Sequence, residues 1–503
     1  MTQETLTVKD AFPELNANST RVALRDGDRE WTYSELNKRI NQASAGLLSG
    51  RADLEEERIA FFMPASVDYV TTIMAIWRAG GIAVPLNIAS AVPELEHALT
   101  CAQVSRLIVS SVTSSEAVEP LKQLCAKLNI EVLLIDDVLS DEEAVMPELS
   151  LERRAMILFT SGTTNKPKGV VTTHKGIRAQ ITTLLKAWGW QADDSIPLFL
   201  PLHHIHGIIN VLCCGLWMGA KVTLFPKFDM PKILEQVQSG QYTVFMAVPT
   251  IYVKLIQHLE SLDDAARTAI TDGFKAMRLN ISGSAACPVK LYNQWQDLTG
   301  QVLLERYGMT EIGMGLSNPY DGERRAGAVG VPLPSVQAQL FDEEHNIIEA
   351  EDTPGEIRIR GDNVFLEYWN NPEATAESFH EGWFCTGDVA VKENGYFRIM
   401  GRSSVDIIKS GGYKLSALEI EGTLLTHESI AECAVIGLED ETWGEAVTAF
   451  VVLKPGAELS YKDLKAWSES RMSPYKIPKA LRVMEQLPRN AMGKVMKPKL
   501  KQL

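Results

Sequence analysis

Between residues 21 and 135, short β-rich runs alternate with stretches of helical periodicity, and this rhythm leaves few folds open to the chain. The runs fall at residues 22–24, 58–62, 82–85, 106–109 and 132–135, with helical patterns at 32–48 and 67–79. Strands joined through intervening helices need crossover connections, so the expected class is α/β with a parallel sheet. The alternation continues through apolar runs at 156–159, 221–225, 243–248 and 279–282. It changes between residues 355 and 402, where short alternating strands at 356–360 and 396–400 each end at a glycine. Beyond Arg402, a helix candidate at 417–426 and β runs at 433–437 and 447–453 predict a small α+β domain. The expected organisation is a large domain over residues 1–401, a hinge at 402–404 and a small domain over 405–503. A chain of 503 residues is long enough for such a division.

Charge narrows the partners. Lys and Arg number 49 against 64 Asp and Glu, a net charge of −15, which repels nucleic acid and anionic lipid. Any phosphate the chain binds needs a local site. The 7 cysteines are scattered, with no Cys-x-x-Cys pair, and no secretory pattern opens the chain, so reduced thiols in the cytoplasm are expected. The most apolar stretch, residues 205–220, is interrupted by Gly207, Asn210, Gly215 and Gly219 and is shorter than the roughly 20 residues of a membrane helix. No membrane span is predicted.

A local phosphate site is legible directly after the apolar run at 156–159. There Thr160, Ser161, Gly162, Thr163, Thr164, Asn165, Lys166, Pro167, Lys168 and Gly169 gather hydroxyls, glycines and two lysines. Glycine lets backbone N–H groups turn toward an anion, hydroxyls add donors, and lysine supplies charge. The spacing is not that of a Walker A loop. In isolation the stretch would read rather as a surface loop rich in turn formers.

With further motifs in order along nearly the whole chain, the sequence resembles the acyl-adenylate-forming superfamily of acyl-CoA synthetases, luciferases and peptide-synthetase adenylation domains. That family's loop reads Thr-Ser-Gly-Thr-Thr-Gly-x-Pro-Lys-Gly; here Asn165 replaces a glycine, and asparagine tolerates left-handed backbone angles. The resemblance implies a large adenylate-forming domain of α/β layers and a small mobile lid. It also implies ATP, Mg²⁺ and coenzyme A as cofactors, with Thr160, Ser161, Gly162, Thr163, Thr164 and Lys168 on the phosphates.

The same resemblance distributes further roles. Glu305, Arg306, Tyr307 and Gly308, together with Gly283, Ser284 and Ala285, are implied to surround adenine and ribose. Thr310 would hold the α-phosphate and Glu311 would ligate magnesium, a hard cation that takes carboxylate and phosphate oxygens. Asp388 would accept both ribose hydroxyls, and Arg402 would reach the nucleotide at the start of the hinge, where Ser404 is the candidate pivot. Lys494 is implied to insert beside the substrate carboxylate and the α-phosphate, neutralising charge in the transition state. Lys409, Ser410, Gly411, Gly412 and Tyr413 are implied to pass the pantetheine arm of CoA.

The acyl group is the open question. His204 stands at the family's acyl-pocket histidine, and His206 and Met309 are implied neighbours. Three histidines in four positions, His203, His204 and His206, could also suggest a metal, yet no nearby Asp, Glu or Cys completes a ligand set. Among subgroups the pattern is most similar to malonyl-CoA and methylmalonyl-CoA synthetases. A dicarboxylate carries a second carboxylate that must be paired inside the pocket, and Arg278, just before the strand at 279–282, is the candidate fork. The other reading of Arg278 is a strand-end residue paired with an acidic neighbour. Alternatives for the whole chain are a ligase for a neutral short- or medium-chain, aryl or oxalyl acid, an adenylation enzyme loading a carrier protein, and a nucleotide sensor without catalysis. A monomer or homodimer is expected.

Overall fold

In the computed structural model the described residues are 11–503 except 18, 143, 161–166, 404, 411–412, 441 and 490–494. The chain divides into two compact units, Met1–Gln337 with Arg360–Gly382, and Ala338–Ile359 with Trp383–Leu503. The sequence, by contrast, places its expected division at residues 401–404. The expected boundary there stands as a proposal about where the chain pivots, and Ser404 lies outside the described residues.

The larger unit carries the expected alternation. Arg58–Phe62, Ile82–Pro85, Arg106–Val109 and Glu131–Leu134 lie parallel in one seven-stranded sheet. Arg154–Thr160 extends the sheet parallel to Ile82–Pro85, and Lys168–Thr173 and Glu367–Tyr368 then add antiparallel strands. The helix Tyr33–Leu48 begins where the sequence places it because Thr32 and Glu35 form a reciprocal capping box. Val22–Asp26 belongs elsewhere, in a four-stranded sheet with Arg29–Thr32, Lys221–Leu224 and Ser195–Leu198. A third sheet orders Val244–Ala247, Leu279–Ser282, Leu304–Met309, Gly313–Ser317 and Val331–Pro332. Behind it, Phe245, Tyr252, Phe274 and Trp295 pack edge to face with centroids 4.8–6.0 Å apart, the arrangement the ring quadrupole favours.

The apolar stretch near residue 205 forms the π-helical segment His206–Cys213, which runs into Cys214–Met218 and ends at Gly219 in a left-handed turn. Among the described residues no helix is long and apolar enough to cross a membrane.

In the smaller unit, Gly355–Arg360, Trp383–Glu393 and Tyr396–Arg402 form antiparallel pairs. A five-stranded sheet follows, of Tyr413–Ser416, Ile407–Ser410, Gly444–Leu453, Ile430–Asp440 and Ala480–Val483. The helix Ala417–Leu424 covers it through Ile420 and Leu424, packed on Val435, Val447 and Ala449.

Candidate active site

The phosphate-loop residues Ser161, Gly162, Thr163 and Thr164 lie outside the described residues, but the base of the loop is well defined. Thr160 ends one strand directly opposite Lys168, which begins the next. His97 braces the return with Nε2 2.7 Å from the Pro167 carbonyl. At Gly169 a Cβ would come 2.9 Å from Ile157, so only glycine lets the two strands close here. The Lys168 ammonium lies 4.6 Å from the centroid of the Tyr368 ring.

Tyr368 is the residue that sequence reasoning missed. Its hydroxyl donates to Glu311 Oε1 at 3.0 Å, so one ring links the loop lysine to the expected magnesium ligand. Glu311 is buried in the tight turn between Leu304–Met309 and Gly313–Ser317, and its carbonyl accepts from Phe365 N at 2.7 Å. Tyr307, Gly308, Met309 and Thr310 approach this turn half-buried. A buried carboxylate offering hard oxygens suits magnesium better than a soft metal. No cluster of three or more His, Cys, Asp or Glu side chains able to hold a metal exists among the described residues.

The histidines are not charged. Burial, then the adjacent His204, lowers His203 to about 3; burial lowers His204; and burial, then Arg306 and His204, lowers His206 far below its usual range. His206 Nδ1 lies 3.1 Å from the Ser284 hydroxyl, while its buried Nε2 has no partner. Ser284 is exposed, follows Gly283 at the end of Leu279–Ser282 and adopts a φ of 68°, a left-handed conformation costly for serine. Ala285 beside it is exposed as well.

One expectation is corrected by geometry. Arg278 does not reach for an acyl group: its Nε and Nη2 are 2.7 and 2.5 Å from the two carboxylate oxygens of Asp194, and Nη1 donates to the Trp188 carbonyl at 2.9 Å. Burial pulls its pKa down, but Asp194 more than offsets this and leaves it raised. Arg306, the arginine expected on adenine or ribose, is buried, lies against Gly283 so closely that a Cβ there would run into the guanidinium, and among the described residues leaves Nε and Nη2 unpartnered. Burial lowers its pKa to about 10, so it remains a cation at neutral pH.

Glu305 is likewise turned inward. Its carboxylate accepts from Gly327 N at 2.8 Å and its carbonyl from Asn318 N at 2.9 Å, which ties down the following loop. A cavity of about 1680 Å³ lined by Phe12, Trp77, His174 and Trp217 contains none of these residues.

In the smaller unit, Asp388 and Arg402 face each other across paired strands, with Arg402 Nε 2.9 Å from Asp388 Oδ1. Lys409 and Ser410 end one strand of a hairpin and Tyr413 begins the other; Gly411 and Gly412 between them lie outside the described residues. Lys409 is exposed, Ser410 buried, and Tyr413 stacks on Tyr475 at 4.4 Å. Lys494 also lies outside the described residues.

Comparison with known proteins identifies the family. Residues 13–369 match the model of the AMP-binding enzyme and 419–494 that of the AMP-binding enzyme C-terminal domain. The chain is 42% identical to the mitochondrial malonate–CoA ligase ACSF3 of Bos taurus, over 97% of this chain and 89% of that protein. It is 37% identical to the malonate–CoA ligase of Arabidopsis thaliana, over 98% and 88%. Its structure is similar to ATP-bound MatB from Rhodopseudomonas palustris, with TM-score 0.87, 32% identity and 98% of each chain covered. A malonyl-CoA ligase ternary product complex with methylmalonyl-CoA and AMP gives TM-score 0.68 at 34% identity, over 95% of this chain and all of that one. With family matches and relatives spanning nearly its full length, the chain belongs to the AMP-binding enzyme family.

Proposed function

We propose that this chain is an ATP-dependent malonate–CoA ligase in which Arg306 receives the carboxylate that does not react. The observation that carries this reading is a buried guanidinium with two nitrogens that have no partner among the described residues, beside His206, neutral and likewise without a described partner at Nε2. An uncompensated buried cation is costly, whereas a carboxylate entering beside it supplies both counter-charge and acceptors. A neutral acid would leave that cost in place, which disfavours the short-chain and aryl alternatives. Glycine at 283 provides the clearance for this arginine.

The proximal carboxylate attacks the α-phosphorus of ATP, pyrophosphate leaves, and a malonyl-adenylate forms. The CoA thiol then attacks the acyl carbonyl and AMP departs. In this reading Thr160 and Lys168 hold phosphate oxygens, and Glu311, steadied by Tyr368, would hold magnesium. The ion, when bound, offsets phosphate charge. Thr310 orients the α-phosphate, Tyr307 packs on adenine, Asp388 takes the ribose hydroxyls, and Lys494 neutralises charge between the reacting groups. Seven free thiols suit a reducing compartment, and the cytoplasm is the proposed one.

Arg306→Met tests the assignment. Truncating one partner of a buried charge pair costs enough to lower kcat/KM for malonate about 10²-fold or more, while acetate turnover is spared or improved. Malonate turnover equal to that of the parent enzyme would refute the clamp.

A further inference from the structure

The cavity of about 1680 Å³ lies within the larger unit, between the helices Tyr33–Leu48, Val67–Arg78 and His174–Ala187, with the short helix Pro13–Asn16 and residues 144–149 also on its walls. Much of its lining is apolar: Leu15, Met74, Leu149 and Ile177 are buried there. The Phe12 ring centroid lies 6.5 Å from that of Trp77 and 5.2 Å from that of Trp217, and Trp77 meets His174 edge-on at 6.4 Å. Trp77 is fixed by its Nε1, which donates to the Ala155 carbonyl at 2.8 Å. Burial, then Arg153, lowers the pKa of His174 to about 3, so this histidine is uncharged.

A cation stands in this lining without an acid. Arg78 ends the helix Val67–Arg78, and its Nη1 donates to the side-chain carbonyls of Asn37, at 2.9 Å, and Asn41, one turn apart on the neighbouring helix. Among the described residues nothing accepts from its Nε or Nη2, and no carboxylate lies within ion-pair distance. Burial lowers its pKa to about 10, so it stays charged at neutral pH. Of the other charged groups on the walls, Arg51 pairs with Glu57 at 2.9 Å, Glu142 and Glu148 are exposed, and Arg178 has no acidic partner among the described residues. A half-buried guanidinium held only by neutral amides is costly, and an entering carboxylate supplies the missing counter-charge in the geometry that the arginine fork favours.

Size decides the rest of the ligand. Drug-sized ligands occupy cavities of about 300–1,000 Å³, so a compact aryl acid would leave most of this space wet against apolar walls. A long flexible chain follows such walls and gains with every methylene it buries. We infer that the cavity is a binding site for a long-chain aliphatic carboxylate, whose chain lies against Met74, Trp77 and Trp217 and whose head group is taken by Arg78.

Calorimetric titration of the full-length enzyme with decanoate below its micelle concentration is the test, with octanoate, dodecanoate and the uncharged decanol as comparisons. A single site per chain is expected, tightening about fourfold with each added methylene, and decanol is expected to bind about tenfold or more weakly because it cannot pair with the arginine. Arg78→Gln should weaken decanoate about tenfold or more, with decanol binding and malonate turnover unchanged. Trp217→Ala, on the same wall, should weaken decanoate and decanol alike, by about tenfold. Arg306→Met should bind decanoate like the parent. Absence of saturable binding, equal affinity for decanoate and decanol, or parental decanoate binding in Arg78→Gln overturns the inference; a loss of decanoate binding in Arg306→Met does so as well, by placing the ligand in the acyl pocket. The decanoate–decanol comparison and Trp217→Ala decide the matter even if Arg78→Gln fails to fold.

Discussion

Arg278 and Asp194 form a two-pronged ion pair between side chains 84 positions apart in the chain, with the Trp188 carbonyl taking a further Arg278 N–H and the carboxylate buried. Asp194 Oδ1 also accepts from the Thr243 hydroxyl at 2.7 Å, and its Oδ2 accepts from Gln191 N at 2.8 Å, so the carboxylate is fully engaged. This pair belongs to the scaffold. Removing one member leaves a buried charge without its partner, so Arg278→Met is expected to destabilise the enzyme by about 3–5 kcal/mol. The loss should appear in urea denaturation, with the ratio of malonate to acetate kcat/KM unchanged. A selective loss of malonate turnover in a variant of parental stability would return Arg278 to the acyl pocket.

Gly283 offers an independent probe of the clamp. A methyl group at this position meets the Arg306 guanidinium, which has to move. Gly283→Ala is therefore expected to reduce malonate kcat/KM about 10²-fold, as misplaced binding groups do, with a cooperative thermal transition retained. Steady-state kinetics alongside a melting curve check this, and unimpaired malonate use would argue that Arg306 is not the contact.

Tyr368→Phe removes the hydroxyl that donates to Glu311 and keeps the ring beneath Lys168. A hydrogen bond to a charged group contributes about 1.5–3 kcal/mol, so KM for MgATP is expected to rise about tenfold or more. CoA saturation should be unaffected. Titration of magnesium at fixed ATP measures the effect, and a parental magnesium dependence would count against Glu311 as the ligand.

Glu305 predicts a pH effect. Burial pushes its carboxyl up to about 8 from an ordinary 4.5, against the opposing hydrogen bond from Gly327 N–H. Between those values the folded chain holds a proton that the unfolded chain has released, so this group's contribution to stability falls as pH rises from about 4.5 to about 8. Glu305→Gln should flatten that slope in urea titrations run across the window. An unchanged slope would show that Glu305 is already ionised in the folded enzyme.

Order along the chain carried much of this outcome. Alternating apolar runs located the strands Arg58–Phe62, Ile82–Pro85 and Arg106–Val109, and helical periodicity the helix Tyr33–Leu48, because periodicity acts over a few residues. Glycine, hydroxyl and lysine types made the loop beginning at Thr160 a candidate only together with the other motifs in order along the chain. Which arginine is free to meet a carboxylate could not be read that way. Arg278 and Arg306 are alike in type and each stands beside or within a strand, yet Asp194 pairs with one while, among the described residues, two nitrogens of the other stay unpartnered. Tyr368 was silent for the same reason, lying 57 positions from the Glu311 it supports. Pairing between side chains is fixed by how sheets and helices pack, and that packing sets the burial that makes one unpaired cation a site and another a strut.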